Sequence, residues 1–282
     1  MIKAFVERHP LAVALLLAAS SFGIAVLSVT ASRRPVVSDV GDVAPEDLEP
    51  PTEGEQTLAL FWSTENFFWF AVALLAVGLL AWAGWLREAG FGWPRRWRNA
   101  RLLALPLLVG VLALSDGVRV PGVWIFLATL ATVLVAVFGE EALFRGLMLR
   151  VLAPSGLLRA VVATSLLAGA LTLGVSVLTG PWPEAVQATA LATCGGFTYA
   201  ALRWRTASLW PAVLAHALIS LSVAISTPGA TLYLIVLLLG TVGFVAYGLF
   251  LLRNPRARED GGPPLRPPRG ANGAGKRGGP PR

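Results

Sequence analysis

Eight long apolar stretches, separated by charged or proline-rich sequence, restrict this chain to very few folds. A run of about 18 or more apolar residues predicts a membrane-crossing helix, because in lipid the backbone polar groups must pair within the segment. The third stretch is short for a span, and the fourth is expected to continue as helix to about Arg150. The segments are 11–29, 67–86, 102–114, 122–138, 160–178, 185–202, 209–225 and 231–252.

The composition of the whole chain agrees with these spans. Of 282 residues, 55% are hydrophobic and only 14% are charged, whereas soluble domains carry about 25% charged residues. These values exclude a disordered, collagen-like or disulfide-rich secreted chain and argue against a soluble enzyme. The single cysteine, Cys194, excludes an intrachain disulfide and a metal site built from several cysteines. We therefore predict an all-α, polytopic membrane bundle of about eight transmembrane helices.

The positions of the arginines predict which side of the membrane each loop faces. Although the net charge is +7, the basic residues lie in separate loops at segment ends, which argues against a nucleic-acid partner. With the N-terminus inside, the basic loops all fall on the cytoplasmic side, as the positive-inside rule requires. We expect both termini in the cytoplasm. The arginines in these loops are Arg87, Arg95, Arg96, Arg98, Arg101, Arg145, Arg150, Arg159, Arg203 and Arg205.

This topology divides the chain into four regions. The first segment resembles a signal peptide at Val29-Thr30-Ala31, but its length favours an uncleaved anchor. The Gly, Pro and Arg content of the C-terminal tail predicts disorder, with contact to anionic lipid left open. The regions are an anchor helix in 1–30, an acidic extracytoplasmic loop in 31–66, a helical membrane domain in 67–252 and a basic tail in 253–282.

Two adjacent glutamates give the clearest functional signal. Among the 16 acidic residues, Glu140 and Glu141 alone lie at the cytoplasmic end of an apolar helix, where ionisable groups are costly and usually functional. Arg145 follows Glu141 by four residues, the spacing of a helical ion pair, so a purely structural role is available for Glu141. Glu140 lies about 100° further round the helix and has no such explanation.

Three other polar residues interrupt apolar segments. His216 lies within segment 209–225, where an imidazole must find a partner. Ser220 is four residues later, on the same helix face, and Thr172 interrupts the fifth segment. Taken alone, such residues are as consistent with hydrogen bonds within or between helices as with catalysis.

Together these residues resemble the motifs of the CPBP intramembrane protease family, which includes type II CAAX prenyl endopeptidases and bacteriocin-processing or bacteriocin-immunity proteins. GEEALFRG is similar to the family's Glu-Glu-x-x-x-Arg motif, and LWPAVLAHALIS to its last motif, in which Asn or Asp follows His by four residues. The resemblance covers about residues 120–225. It implies a set of catalytic residues that consists of Glu140, Glu141, Arg145 and His216.

The chain departs from the family pattern at two polar positions. The middle motif, Phe-x-x-x-His, aligns with SLLAGALT, which places Thr172 at the histidine and Ala168 at the phenylalanine. Ser220 occupies the final Asn position. In the family, a glutamate activates water, while the histidines and Asn stabilise the oxyanion or hold a metal. Catalytic zinc normally takes three protein ligands, so a zinc site with Glu140 and His216 as candidate ligands stays open, and no other cofactor is implied.

The leading hypothesis is a membrane endopeptidase whose site opens towards the cytoplasm and cleaves a peptide or a membrane-protein tail. Glu140 would be the base that activates water, and His216 would polarise the scissile carbonyl. Glu141 and Arg145 would orient the base. The hydroxyls of Thr172 and Ser220 would be weaker, auxiliary donors.

Two other classes of function are weighed against this one. The first is a catalytically degenerate membrane scaffold or immunity-type protein that keeps the fold without hydrolysis. The second is a transporter or proton relay, which is weakened because no other span contains an acidic residue. The excess of arginine, 21 against 2 lysines, indicates a GC-rich bacterial genome and hence a bacterial plasma membrane as the location.

Overall fold

The computed structural model describes residues 5–6, 8–32, 52–61, 63–94, 101–119, 122–227 and 229–253. Within these ranges almost every residue is helical, and β-structure is limited to an isolated bridge between Val118 and Ser226. Each of the eight predicted segments falls largely on a helix. The expected tail from 254 and most of the expected acidic loop, 33–51, lie outside the described residues.

Eleven α-helices can be traced in the described ranges. A π-helical segment, Ala142–Met148, joins α5 to α6, and a second, Leu239–Gly243, joins α10 to α11. The helices are α1 (Pro10–Ser32), α2 (Glu53–Phe61), α3 (Thr64–Ala83), α4 (Ala104–Ala113), α5 (Val123–Glu141), α6 (Leu149–Leu152), α7 (Leu157–Thr179), α8 (Trp182–Thr206), α9 (Trp210–Ile225), α10 (Ala230–Leu238) and α11 (Phe244–Leu252).

The prediction of a helical membrane bundle is confirmed. Among the described residues, five continuous helices are long and apolar enough to cross a membrane: α1, α3, α7 and the rods formed by α5–α6 and α10–α11. Helices α4 and α9 are apolar but shorter, and α8 is long but more polar. The number of spans therefore stays a prediction, whereas the fold class is confirmed.

The outer surface of the bundle is apolar, as expected for a protein surrounded by lipid. Large hydrophobic side chains project from several helices, for example Leu16, Leu74, Val111, Leu166 and Leu234, each more than 55% exposed. A soluble protein rarely exposes apolar surface on this scale. The chain is therefore a multi-pass membrane protein whose solvent is the bilayer.

The rod that carries the glutamates is continuous from Val123 to Ser155. Its expected continuation to about Arg150 is therefore confirmed. Pro154 lies in the final 3₁₀ turn, and Gly156 follows with φ +102°, a backbone conformation that glycine adopts readily. The chain reverses there into α7, so α5 and α7 lie antiparallel around the glutamates.

Helix α1 packs on the bundle through one face and exposes Leu16 and Leu27 on the other. It contacts α3 and α7, and the ring of Phe22 occupies the space that a Cβ on Gly174 of α7 would need. Ala25 belongs to the same buried cluster as Phe144 and Met148 of the π-helical segment. The assignment of α1 as an uncleaved anchor stays a prediction.

We call the end of the bundle where α5 begins the Val123 end. There, Asn66 Nδ2 of α3 donates hydrogen bonds to the Leu60 carbonyl of α2 at 2.9 Å and to Thr132 Oγ1 of α5 at 3.0 Å. The short helix α2 is thereby attached to two long helices. The charge pattern predicts that this end faces the extracytoplasmic side.

The opposite end, which we call the Arg150 end, is closed by residues 84–94. Arg150 Nε donates to Glu88 Oε2 at 2.6 Å. Arg203 Nε donates to the Ala89 carbonyl at 2.9 Å and its Nη2 to the Glu88 carbonyl at 2.6 Å. Gly90, with φ +90°, lies directly against the Arg203 guanidinium, where a Cβ would clash.

Gly90→Ala should destabilise the protein by about 1–3 kcal/mol, because it combines a strained backbone conformation with a clash against Arg203. Gly92→Ala is the matched control, since a Cβ there meets nothing within 4 Å, and it should change stability by less than about 0.5 kcal/mol. Thermal unfolding of the detergent-solubilised variants measures both effects. Equal melting temperatures for the two variants would contradict the close contact between Gly90 and the Arg203 guanidinium.

Candidate functional site

The glutamate pair lies where the rod changes from α-helical to π-helical hydrogen bonding. Glu140 and Glu141 end α5, and in the π-helical segment that follows, the Leu149 N–H donates to the Phe144 carbonyl, five residues earlier. In an α-helix, residues five apart are rotated by about 140° from each other. The wider π turn brings such positions closer to one face, and π segments occur frequently at functional sites.

The π geometry lets one arginine contact both glutamates. Arg145 Nη1 lies 3.2 Å from Glu141 Oε1 and 3.4 Å from Glu140 Oε1. The first contact has the four-residue spacing read from the sequence. The second spans five residues and would not form on a regular α-helix. Both carboxylates therefore share one guanidinium.

Arg145 is held in a closely fitted and buried position. Its guanidinium carbon lies 5.6 Å from the Phe144 ring centroid and 5.7 Å from that of Tyr199, within the range of cation–π attraction. A Cβ on Gly196 of α8 would collide with Arg145 Nη2. The Gly195-Gly196 pair is costly inside a helix, and the close approach of Arg145 is the reason for the second glycine.

His216 finds its partner in the glutamate cluster. Its Nδ1 lies 2.9 Å from Glu141 Oε1, the same oxygen that contacts Arg145. Its ring stacks on Tyr199 at a centroid distance of 4.7 Å and an angle of 17°. These two contacts fix both the position and the plane of the imidazole.

Glu140 and His216 line a cavity in the bundle, whereas Glu141 does not. The cavity has two lobes, of about 400 and 420 Å³, which share five wall residues. Glu141 has a side chain that is 0% exposed, against 16% for Glu140. The shared wall residues are Glu140, Thr172, His216, Ser220 and Ala224.

The structure brings all six sequence-predicted residues together. Glu140, Glu141, Arg145 and His216 form one contacting cluster, and Thr172 and Ser220 stand on the wall beside it. Their catalytic roles stay predictions. Sequence reasoning missed Tyr199 and Gly196, which support the cluster from α8. Of these two residues, only Gly196 had a local signal in the sequence, because it follows another glycine within a helix.

The donor set does not fit a catalytic zinc. Glu140, Glu141 and His216 place one ligand atom each within 4.8 Å of one another, but Glu141 is buried behind the cavity wall. From the cavity, the described residues offer Glu140 and His216, fewer than the three protein ligands usual for zinc. Arg145 also places a positive charge between the two carboxylates, where a dication would be repelled. We therefore derive no step through a metal.

The wall residues show how far the cavity extends from the site. From Glu140, its first lobe extends along α5 past Ala136 and Thr132 to Thr129, towards the Val123 end. On the other side, Phe138 lies between Phe91 and Trp210, with ring centroids at 6.2 and 6.3 Å. These rings pack against one another on the arginine-rich side, and the expected opening towards the cytoplasm stays a prediction.

One comparison with known proteins gives a match. Residues 122–222, just over a third of the chain, match the family described as type II CAAX prenyl endopeptidase Rce1-like. The match confirms the resemblance inferred from the motifs, and its range includes all six candidate residues. Neither the curated proteins nor the solved structures that were compared include a match.

Arg145→Ala should destabilise the protein by about 3–5 kcal/mol, because it leaves Glu141 buried without its cation. Arg150→Ala is the control. It removes an ion pair whose Glu88 side chain is 41% exposed, and the expected loss is about 1 kcal/mol. Denaturation of both variants in the same detergent gives the comparison. A loss for Arg145→Ala no larger than that of the control would mean that the cluster is not desolvated.

Proposed function

We propose that this chain, whose residues 122–222 match the type II CAAX prenyl endopeptidase Rce1-like family, is an intramembrane endopeptidase that uses a glutamate-activated water. The observation that carries the proposal is the different placement of the two glutamates. Glu140 faces the cavity, while Glu141 is buried and holds both Arg145 and His216. A catalytic base must reach water, and a positioning group need not.

Glu140 is the group best placed to take a proton from water. Its Oε1 lies 3.4 Å from Arg145 Nη1, and this contact fixes the orientation of the carboxylate. The carboxylate is at the same time exposed to a cavity large enough for peptide and water. General-base catalysis requires this combination of an available lone pair and a defined position.

His216 is suited to polarise the scissile carbonyl. With Glu141 ionised, Nδ1 donates to its carboxylate, so Nε2 is the ring atom left for substrate. Arg145 balances one of the two glutamate charges, and a protonated His216 balances the other. The imidazolium Nε2–H then donates to the carbonyl oxygen as negative charge develops on it.

The proposed reaction has two proton transfers through Glu140. Water attacks the carbonyl carbon while its proton passes to the Glu140 carboxylate, and the resulting oxyanion accepts a hydrogen bond from His216. When the tetrahedral intermediate collapses, the C–N bond breaks and Glu140 returns the proton to the leaving nitrogen. The products are a carboxylate and an amine, and Glu140 is regenerated for the next cycle.

Glu140→Gln should reduce the rate of peptide cleavage by about 10²–10⁴-fold, the range for loss of a general base. Folding should change little, because the side chain keeps its size. Glu88→Gln is the matched control, since Glu88 lies at the Arg150 end and pairs with Arg150. A peptide-cleavage screen of the purified proteins, with and without chelator, measures the rates. Equal rates for Glu140→Gln and the unmodified protein eliminate the protease proposal.

The second candidate is a membrane scaffold of the same fold that has lost hydrolysis. Thr172 and Ser220, on the wall shared by both lobes, stand where the family pattern has His and Asn. A hydroxyl stabilises an oxyanion less well than an imidazole or amide does, and one lost donor costs about 10²–10³ in rate. This observation favours either a slow enzyme or an inactive one.

Thr172→His combined with Ser220→Asn should raise the cleavage rate by about 10²-fold or more if a slow enzyme is present. Added volume should cost about 1–3 kcal/mol, so folding is checked by melting temperature. Ala168→Ser, on the same helix but buried, is a control that adds a hydroxyl outside the cavity. A folded double variant without activity would favour the scaffold.

The remaining assignments belong to the same proposal. We place the protein in a bacterial plasma membrane with both termini in the cytoplasm, and its substrate is a peptide or a membrane protein. Basic and arginine-poor loops alternate along the chain, so that the basic loops all fall on one side, and this pattern supports the orientation.

A further inference from the structure

A separate pocket lies at the Arg150 end of the bundle, away from the glutamate pair. It has a volume of about 660 Å³ and shares no wall residue with the two lobes that contain Glu140. Its described wall combines apolar and aromatic side chains with three arginines, Arg101, Arg205 and Arg253. We call it the arginine pocket.

The three arginines come from separate parts of the chain. Arg101 lies in the 3₁₀ turn before α4, Arg205 in the last turn of α8, and Arg253 directly after α11. Two of these elements are joined by a hydrogen bond, because the Tyr247 hydroxyl of α11 donates to the Leu102 carbonyl at 3.0 Å. Basic side chains that are far apart in sequence therefore meet around one pocket.

Other arginines at this end are used for contacts within the protein. Arg150 pairs with Glu88, and Arg203 donates to the backbone carbonyls of residues 88 and 89. Arg101 and Arg253, in contrast, are exposed and form no ion pair with a described residue. None of the described wall residues is acidic. The pocket thus suits a ligand that brings negative charge.

The apolar part of the pocket restricts the kind of anion. An arginine at a membrane border needs no ligand, but Tyr247 and Phe250 continue the wall away from Arg253 along successive turns of α11. Their rings stack with centroids 6.0 Å apart, and Phe250 is 64% exposed. Guanidinium groups at one end of an apolar wall match a molecule that has an anionic head and a hydrocarbon chain.

We propose that the arginine pocket binds an anionic phospholipid from the leaflet at the Arg150 end, with its phosphate among the three arginines. One acyl chain lies along Tyr247 and Phe250. Arginine forms strong charge-assisted hydrogen bonds to phosphate, and basic pockets between membrane helices on the cytoplasmic side bind such headgroups. The charge pattern predicts that this end is the cytoplasmic one.

The bound lipid would connect three helix ends. Its phosphate would contact the start of α4 and the ends of α8 and α11 together, and α8 also supplies Tyr199 to the glutamate cluster. The proposal does not depend on the endopeptidase function, because lipid binding requires neither Glu140 nor a substrate. A scaffold without hydrolysis would bind the same lipid.

Lipid binding is measured by native mass spectrometry of the full-length protein in a neutral detergent. The protein is titrated with phosphatidylglycerol and, separately, with phosphatidylcholine of the same acyl chains. We expect phosphatidylglycerol to bind about tenfold more tightly or better. The double variant Arg101→Gln, Arg253→Gln should weaken its binding about 30-fold, since each arginine near a headgroup contributes about fivefold. Equal affinities for the two lipids overturn the proposal.

The matched control removes the same charge elsewhere at the Arg150 end. Arg87 and Arg159 are exposed and lie outside the pocket. The double variant Arg87→Gln, Arg159→Gln should therefore bind phosphatidylglycerol within about threefold of the unmodified protein, the change expected from the general surface potential. An equal loss of affinity in both double variants would show attraction by net charge alone and overturns the pocket.

The apolar wall and the source of the phosphate are tested with two further comparisons. Phe250→Ala should lower the affinity for phosphatidylglycerol about fivefold, whereas Leu249→Ala, 52% exposed but outside the pocket, should not. Inorganic phosphate at the concentration of the lipid should displace none of it. Displacement by inorganic phosphate, or equal affinities of the two alanine variants, would assign the pocket to a soluble anion and overturns the lipid. All substituted side chains are exposed, and unchanged melting temperatures confirm that the variants are folded.

Discussion

The contact of one arginine with two adjacent glutamates is the interaction on which the site depends. Two carboxylates next to each other in an apolar bundle repel and are costly to bury. Arg145 offsets that cost, and its own burial requires Phe144 and Tyr199 around it and a glycine at position 196. The backbone adapts as well, because the π-helical segment places Arg145 within reach of Glu140. The local backbone conformation, the packing around Arg145 and the pairing of the charges therefore depend on one another.

The helices could be read from the sequence because hydrophobic length alone determines where a chain crosses a bilayer. The cluster of Glu140, Glu141, Arg145 and His216 could also be read, because charged or polar groups inside apolar segments need partners. The contact between Arg145 and Glu140 could not, since it depends on a π turn that no residue pattern marks. The extent of the cavity could not be predicted either, because charge indicates which loop faces which side and says nothing about where side chains leave space.

The division between Glu140 and Glu141 follows from the same arrangement. Both lie on one turn, yet one faces the cavity and the other faces α8 and α9. A single oxygen of Glu141, Oε1, forms the ion pair with Arg145 and lies within hydrogen-bonding distance of His216 Nδ1. In the proposed mechanism, this second carboxylate would position the groups around the base without contacting substrate.

The aromatic layer at the Arg150 end affects the membrane itself. Phe138 precedes Glu140 by two residues on the same rod, and Trp210 begins the helix that carries His216. Movement of this layer would therefore also displace Glu140 and His216. In the proposed reaction, the packed rings of Phe91, Phe138 and Trp210 would limit the approach of water from the Arg150 end. A cell could keep such a hydrolytic site in its membrane without dissipating its proton and ion gradients.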